Sequence, residues 1–317
     1  MTDKKIKLGI ASCLLGEKVR YDGGHKRDAF LTDTLGKFVE WVPVCPEVEC
    51  GLPVPRESMR LTGDPANPRL VTTRTGVDHT ERMLRWSKRK IEALRRESIC
   101  GYVFKSKSPS SGLQRVKVYD EAGRASKTGT GMFAKQVVEA FPLLPVEDEG
   151  RLNDPRLREN FVERVFVYKR WQDFLEAGGR TKELVDFHTR HKLLIMAHSP
   201  KHLRTLGALV ANPKTGLTSS LHSNYAHALM EALALQATVK KNTNVLHHIM
   251  GYFKRDVSAD EKREMLEVIE RYHDSLVPLI VPIVLLQHFV RRYNKEYLKT
   301  QYYLNPHPAE LMLRNHV

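Results

Sequence analysis

The sequence predicts an α/β amino-terminal domain, a small parallel open sheet with flanking helices, followed by an all-α carboxyl-terminal domain. Two observations carry this prediction. Over residues 1–150, short β-branched runs that end in polar, glycine-containing loops alternate with helical patterns. Beyond Pro155 the apolar spacing is helical throughout.

In chain order, strands are expected at residues 6–12, 41–44 and 101–105. The helix at 80–97 is charged on one face and turns Met83, Leu84, Trp86, Ile91 and Leu94 towards a core. A strand at 115–119 and a helix at 131–140 complete this half. Pro142 and Pro145 then lead into an acidic turn at 147–150, which places the border between domains 1–150 and 151–317. Helices follow at 158–177, 182–198, 221–238, 242–253, 259–276 and 282–302, without internal repeats or low-complexity tracts.

Composition narrows the function. At 317 residues and 41% hydrophobic content each domain can bury its own core, which excludes a disordered chain. Met1 to Lys7 are polar and charged, and no apolar run reaches the roughly 20 residues of a membrane helix, so neither signal peptide nor membrane span is expected. Four cysteines are too few for a disulfide scaffold and read as core thiols or metal ligands of a cytoplasmic protein.

The net charge of +14 favours an anionic partner. It is spread over both halves, but between Phe187 and Arg255 nine Lys or Arg face a single acid, Glu231, amid many histidines. That imbalance suggests a phosphate-binding face, with Lys192, Lys201, Arg204, Lys240 and Lys241 as candidate contacts. The alternative for these charges is a solvated surface, and for the histidines ordinary surface positions.

The chemistry concentrates in the loops after the first three strands. These are Ser12-Cys13-Leu14-Leu15-Gly16 with Arg20-Tyr21-Asp22-Gly23, then Cys45-Pro46-Glu47-Val48-Glu49-Cys50-Gly51, then Lys105-Ser106-Lys107-Ser108-Pro109-Ser110-Ser111-Gly112. Loops leaving the carboxyl ends of parallel strands meet on one edge, where ligands bind. Cys13, Cys45, Glu47 and the serine loop should converge. Taken singly, each also fits a plainer role: a small core thiol, a helix cap, a turn.

Together these strings resemble the motifs of the thiouracil desulfidases, over roughly residues 5–148. The later stretch, with His188-Thr189-Arg190-His191-Lys192, resembles a helical domain which, fused to a desulfidase domain, is similar to bacterial erasers of 4-thiouridine in transfer RNA. The resemblance implies a 4Fe-4S cluster held by three cysteines, with one open iron that takes the thiocarbonyl sulfur while water attacks the carbon. It implies Cys13 and Cys45 as ligands, Glu47 as acid-base carboxylate and Ser108 as catalytic serine. Asp22, Lys105, Lys107, Ser110 and Ser111 become candidate substrate contacts.

The chain departs from the pattern at Ser111, where the family commonly has its third cysteine. Cys100 starts the third strand, and a five-residue strand would hold it about 17 Å from the loop edge. Either the cluster is lost, a serine oxygen binds iron, or another thiol has moved in; of these Cys50, beside the permissive Gly51, is the expected third ligand for cluster and metal. Two further readings compete: a desulfidase of free thiouracil with an oligomerising helical domain, and a nucleic-acid-binding protein whose cysteines hold zinc or nothing. Thiolated transfer RNA is the expected partner; neither membrane nor obligate protein partner is implied.

Overall fold

In a computed structural model, residues 5–211 and 218–316 are described. The chain divides into two compact units, Met1–Asn153 and Asp154–Val317.

The first unit contains strands β1 (Ile6–Ala11), β2 (Val39–Val44), β3 (Met59–Thr62), β4 (Arg69–Thr72), β5 (Tyr102–Phe104), β6 (Val116–Tyr119), β7 (Ala125–Gly129) and β8 (Val146–Asp148). Its helices are α1 (Pro46–Glu49), α2 (Thr80–Arg96) and α3 (Met132–Ala140). One four-stranded sheet has the order β2-β1-β5-β8 and is parallel throughout. Its central strand is buried almost end to end, as parallel strands covered on both faces are. Helix α2 supplies Met83, Trp86, Ile91 and Leu94 to the core as the pattern predicts, with Leu84 half-buried at the margin.

A second four-stranded sheet, β4-β3-β6-β7, was not expected beyond its strand β6. The β3–β6 pair is parallel, and the flanking pairs are antiparallel. Strands of four or five residues such as MRLT and ASKTG carry too little apolar alternation to be separated from loop. The acidic turn expected at 147–150 is also corrected, since Val146–Asp148 is the fourth strand of the parallel sheet.

The second unit is helical: α4 (Pro155–Glu176), α5 (Thr181–His198), α6 (Pro200–Ala211), α7 (Thr218–Ala234), α8 (Val239–Met250), α9 (Ala259–His273), α10 (Ile280–Arg292) and α11 (Glu296–Lys299). Local chemistry sets the starts. Asp154 caps α4 by accepting from the amides of Arg156 and Leu157, with Pro155 in the first turn, and Ser258 and Glu261 form a capping box on α9. Helix α6 was missed, although Ser199-Pro200 is a cap-and-proline start. The single helix expected at 282–302 breaks after Arg292, where Asn294 takes a left-handed φ of 48°. No helix among the described residues is long and apolar enough to cross a membrane.

The histidines of this unit are not all surface residues. His188, His191 and His198 share the buried stripe of α5 at 3%, 0% and 1% exposure. His188 Nδ1 meets the Tyr225 hydroxyl at 3.0 Å, and His191 Nδ1 donates to the Phe187 carbonyl at 2.7 Å. Burial pushes them down, to about 4 and about 3.

Candidate active site

Strand register builds the site. Ala11 pairs with Val44, Ile10 with Val103, and Phe104 with Asp148, so all four strands end in step at one edge. The next residues leave that edge about 5 Å apart per strand. Cys13 follows β1, Cys45 follows β2, Lys105 follows β5 and Glu149 follows β8. A cavity of about 390 Å³ opens there, walled by Cys13, Cys45, Glu47, Lys105, Ser108 and Ser111 among others.

The serine loop is held by backbone contacts that exclude side chains. A Cβ on Gly131 would lie 2.6 Å from the Ser110 carbonyl carbon, and one on Gly112 would lie 2.8 Å from the Ser108 carbonyl oxygen. The Gly131 amide donates to the Gly112 carbonyl at 2.7 Å, and the Ser111 amide donates to Ser108 Oγ at 3.1 Å. Ser108 Oγ lies 3.0 Å from Ser110 Oγ, which in turn donates to Glu47 Oε1 at 2.5 Å. Ser110, behind the wall, thus links the two wall residues Ser108 and Glu47. The short last bond is of charge-assisted type.

Glu47 is fixed from its other side by Arg56, whose guanidinium is 3.7 Å from Oε2. Arg56 also donates to the Val19 carbonyl at 3.0 Å, tying its own loop to the one after β1. The Cys45 thiol donates to Glu47 Oε2 at 3.6 Å. Lys105 is paired with Glu149, which also accepts from the Ser106 amide at 2.6 Å and the Ser106 hydroxyl at 2.8 Å. Burial pushes the Cys13 thiol up to about 11 and the Cys45 thiol up to about 12; Lys105 draws Cys13 the other way, while Glu47 adds to the rise in both.

The other expected residues are placed differently. Lys107 walls the cavity at its rim with φ of 62°. Asp22 is exposed, accepts from the Gly24 amide at 3.0 Å and pairs with Arg20 at 3.3 Å, and both contacts hold its carboxyl below the usual range. It shapes the loop that presents Arg20 and Tyr21, and is not itself on the wall. Ser110 is wholly buried behind the wall. Cys50 ends α1, half-buried, with its thiol donating to the Glu47 carbonyl at 3.2 Å, and it too is off the wall. Cys100 is buried ahead of β5 and also off the wall.

In the helical unit Lys192, Lys201, Arg204 and Lys240 are exposed, whereas Lys241 donates to the carbonyls of His198 at 2.7 Å and Gln236 at 3.0 Å. Lys214 of the basic window lies outside the described residues.

Sequence reasoning missed Arg56 and Glu149, and it gave Ser110 a substrate contact in place of its bond to Glu47. Arg56 sits in a proline-rich stretch whose only signal is a lone arginine, and Glu149 became visible only once β8 was a strand.

Comparison with known proteins gives each unit a family. Residues 8–149 match the family described as 2-thiouracil desulfurase. Residues 192–308 match DUF1722, a family described as proteins of unknown function. The chain is 27% identical over 165 residues to "Uncharacterized protein YbgA" of Escherichia coli (strain K12), covering 52% of this chain and 98% of that one. It is 30% identical to the solved structure of the [4Fe-4S]-dependent thiouracil desulfidase TudS, over 47% of this chain and 95% of that one, with a TM-score of 0.40. The parallel-sheet unit, with its cysteines and serine loop on one edge, is a 2-thiouracil desulfurase family domain, joined to a carboxyl-terminal domain of the DUF1722 family.

Proposed function

We propose that this chain removes the sulfur of 4-thiouridine in transfer RNA, leaving uridine and sulfide, as a 4Fe-4S-dependent hydrolytic desulfidase. The observation that carries the reading is the convergence of Cys13, Cys45, Glu47 and Ser108 on one cavity.

The donor set suits a cluster better than a single zinc ion. A tetrahedral zinc with bonds of about 2.3 Å would draw its sulfurs to about 3.8 Å. Among the described residues, the group of three His, Cys, Asp or Glu ligand atoms that come within 4.8 Å of one another is the exposed Glu270, His273 and Asp274, not the cysteines. Thiolates on separate irons of a cluster need no such closeness. Cys13 and Cys45 would hold it, and a cationic iron is what would favour the thiolate over these two burial-raised thiols. The third ligand is either Ser111 Oγ, already on the wall, or the Cys50 thiol once it releases the Glu47 carbonyl.

When bound, the cluster supplies a Lewis-acidic iron for the thiocarbonyl sulfur. The protein's own groups do the rest. Glu47, held by Arg56, takes a proton from the attacking water. The Ser110 and Ser108 hydroxyls pass protons between that carboxylate and the base. Lys105, kept in place by Glu149, offers positive charge at the wall. Water supplies the oxygen and sulfur departs as sulfide, so no electrons are gained or lost.

The test is anaerobic incubation of reconstituted protein with thiolated transfer RNA, followed by nucleoside analysis. Loss of 4-thiouridine with matching uridine and sulfide is the expected result. Intact 4-thiouridine beside turnover of free thiouracil would move the activity to the free base.

A further inference from the structure

The second sheet of the first unit presents a charged groove that the chemistry above does not use. Leu61, Val116 and Val118 are buried on one face. Alternation puts Arg60, Lys117 and Tyr119 on the other, and with Lys127 of β7 they line a groove of about 1260 Å³. The register pairs Leu61 with Val118, which sets Arg60 beside Lys117. It pairs Val118 with Ser126 and Val116 with Gly129, which sets Lys117 opposite a bulge in β7 made by Lys127 and Thr128. Three neighbouring strands therefore carry a row of cations about 10 Å long. Lys107 and Arg115 extend the same lining.

Nothing in the groove balances that row. Among the described residues, Arg60, Lys107, Arg115, Lys117 and Lys127 make no ion pair. The groove's one carboxylate, Asp148, is 3% exposed and accepts from the Leu113 amide, and burial pushes it up to about 6. Like charges opposite one another on a sheet are destabilising, so an uncompensated row is the mark of a seat for an external anion. Tyr119 adds an aromatic ring, with the Arg60 guanidinium 5.2 Å from its centroid, a pairing suited to stacking a base. The groove also shares Met59, Ser106, Lys107 and Pro109 with the wall of the cysteine cavity.

We propose that this groove seats the sugar-phosphate backbone of the RNA strand that carries the thiolated base, so that the flanking nucleotides lie on β3, β6 and β7 while the base crosses the shared wall into the cavity. The proposal rests on the transfer RNA reading of the preceding subsection. It adds a substrate surface within the catalytic unit, separate from the basic face of the helical unit.

The experiment uses the full chain and the double variants Lys117→Glu/Lys127→Glu and Lys117→Gln/Lys127→Gln. Binding of fluorescently labelled thiolated transfer RNA is read by anisotropy at two salt concentrations, and desulfuration of RNA and of free thiouracil is read after reconstitution. The charge reversal should weaken RNA binding at least about tenfold and lower the salt slope by about 2, with the glutamine pair intermediate. Free thiouracil turnover should stay within error of wild type, and the thermal midpoint of the glutamine pair should not fall below it, since two like charges leave the row. RNA affinity and slope unchanged in both variants, with wild type still desulfurating RNA, overturn the groove and leave the transfer RNA reading standing. Wild type that turns over free thiouracil but neither binds nor desulfurates RNA overturns both. Competition by 4-thiouridine monophosphate as strong as by the polynucleotide would reduce the seat to a single phosphate and overturn the strand.

Discussion

The Ser110 hydroxyl lies 2.5 Å from a carboxylate oxygen of Glu47, a residue 63 positions earlier in the chain. This bond joins the loop after β5 to the loop after β2, and with Ser108 it forms a chain of hydrogen bonds whose part in the proposed proton transfer can be tested one member at a time.

Glu47→Gln is expected to lower single-turnover desulfuration by about 10²- to 10⁴-fold, and Ser108→Ala by a comparable factor, with the visible cluster absorption intact. Ser110→Ala should fall between these and wild type, since water can replace the middle hydroxyl of a relay. Rates near wild type in Ser110→Ala, at every pH tested, would disprove the relay.

Cys13→Ala and Cys45→Ala should each lose cluster absorption on anaerobic reconstitution, whereas Cys100→Ala keeps it. Cys50→Ala and Ser111→Ala decide the third ligand: the one that lowers iron content is the ligand. Ser111→Cys should retain iron longer in air than wild type, because a thiolate binds iron more softly than an alkoxide. Full iron content in Cys45→Ala would sink the assignment.

In the helical unit, Glu163 bonds His198 Nε2 at 2.9 Å and lies 3.8 Å from buried Arg314. Burial opposes its ionisation, but His198 and Arg314 prevail and hold it at about 2 against an ordinary 4.5. Its stabilising contribution is present above 4.5 and lost as pH falls through 2. Glu163→Ala should cost about 3–5 kcal/mol by stranding a buried cation. A loss under about 1 kcal/mol in urea titrations, the range of an exposed pair, would show that the charges are not coupled.

Glu159 has the opposite sign. Burial raises it to about 7 although Arg314 donates to it at 3.1 Å, so the folded chain retains a proton the unfolded chain releases near 4.5. The associated stability is full below 4.5 and is lost as pH rises through 7. Between pH about 5 and about 8, wild type should therefore lose up to about 3 kcal/mol relative to Glu159→Gln. Parallel stability curves for the two proteins would refute this.

Reversing Lys192, Lys201, Arg204 and Lys240 together tests the helical face. Transfer RNA binding should weaken and its salt dependence flatten, with free thiouracil turnover unchanged. Lys241 is left out because it serves the carbonyls of His198 and Gln236, and Lys241→Ala should cost about 1 kcal/mol of stability. Unaltered affinity and salt slope would return this face to ordinary solvated surface.

Legibility followed apolar runs and loop chemistry. The inner parallel strands that carry Cys13 and Lys105 were readable because burial on both faces makes them mostly apolar, the edge strand before Cys45 was readable from its β-branched Val42 and Val44, and α2 from its helical spacing. Strands β3, β4 and β7 were not, since short strands with an exposed face look like loops. Strand β8 was hidden by its acidic Glu147 and Asp148, which look like a turn although both are buried, and Glu149 was hidden with it. The hydrogen-bonded chain of Ser108, Ser110 and Glu47 was half legible: Ser108 and Glu47 stood out as residue types in motifs, but only the packing of the serine loop on Gly112 and Gly131 turns Ser110 towards the carboxylate. The pairing of Glu163 with His198 and Arg314 had no sequence signal, because its members come from distant helices and the chain's last residues.

Strands that finish level at one edge also bear on how such a centre changes over evolutionary time. A side chain leaving β2 and one leaving β5 arrive at the same small volume from different directions. Loss of a donor from one loop can then be answered by another loop without rebuilding the scaffold beneath. Ser111 stands on the wall and Cys50 behind it on the neighbouring loop, so on the proposed cluster reading a third donor can pass from one loop to the other by point substitutions made on an intact fold.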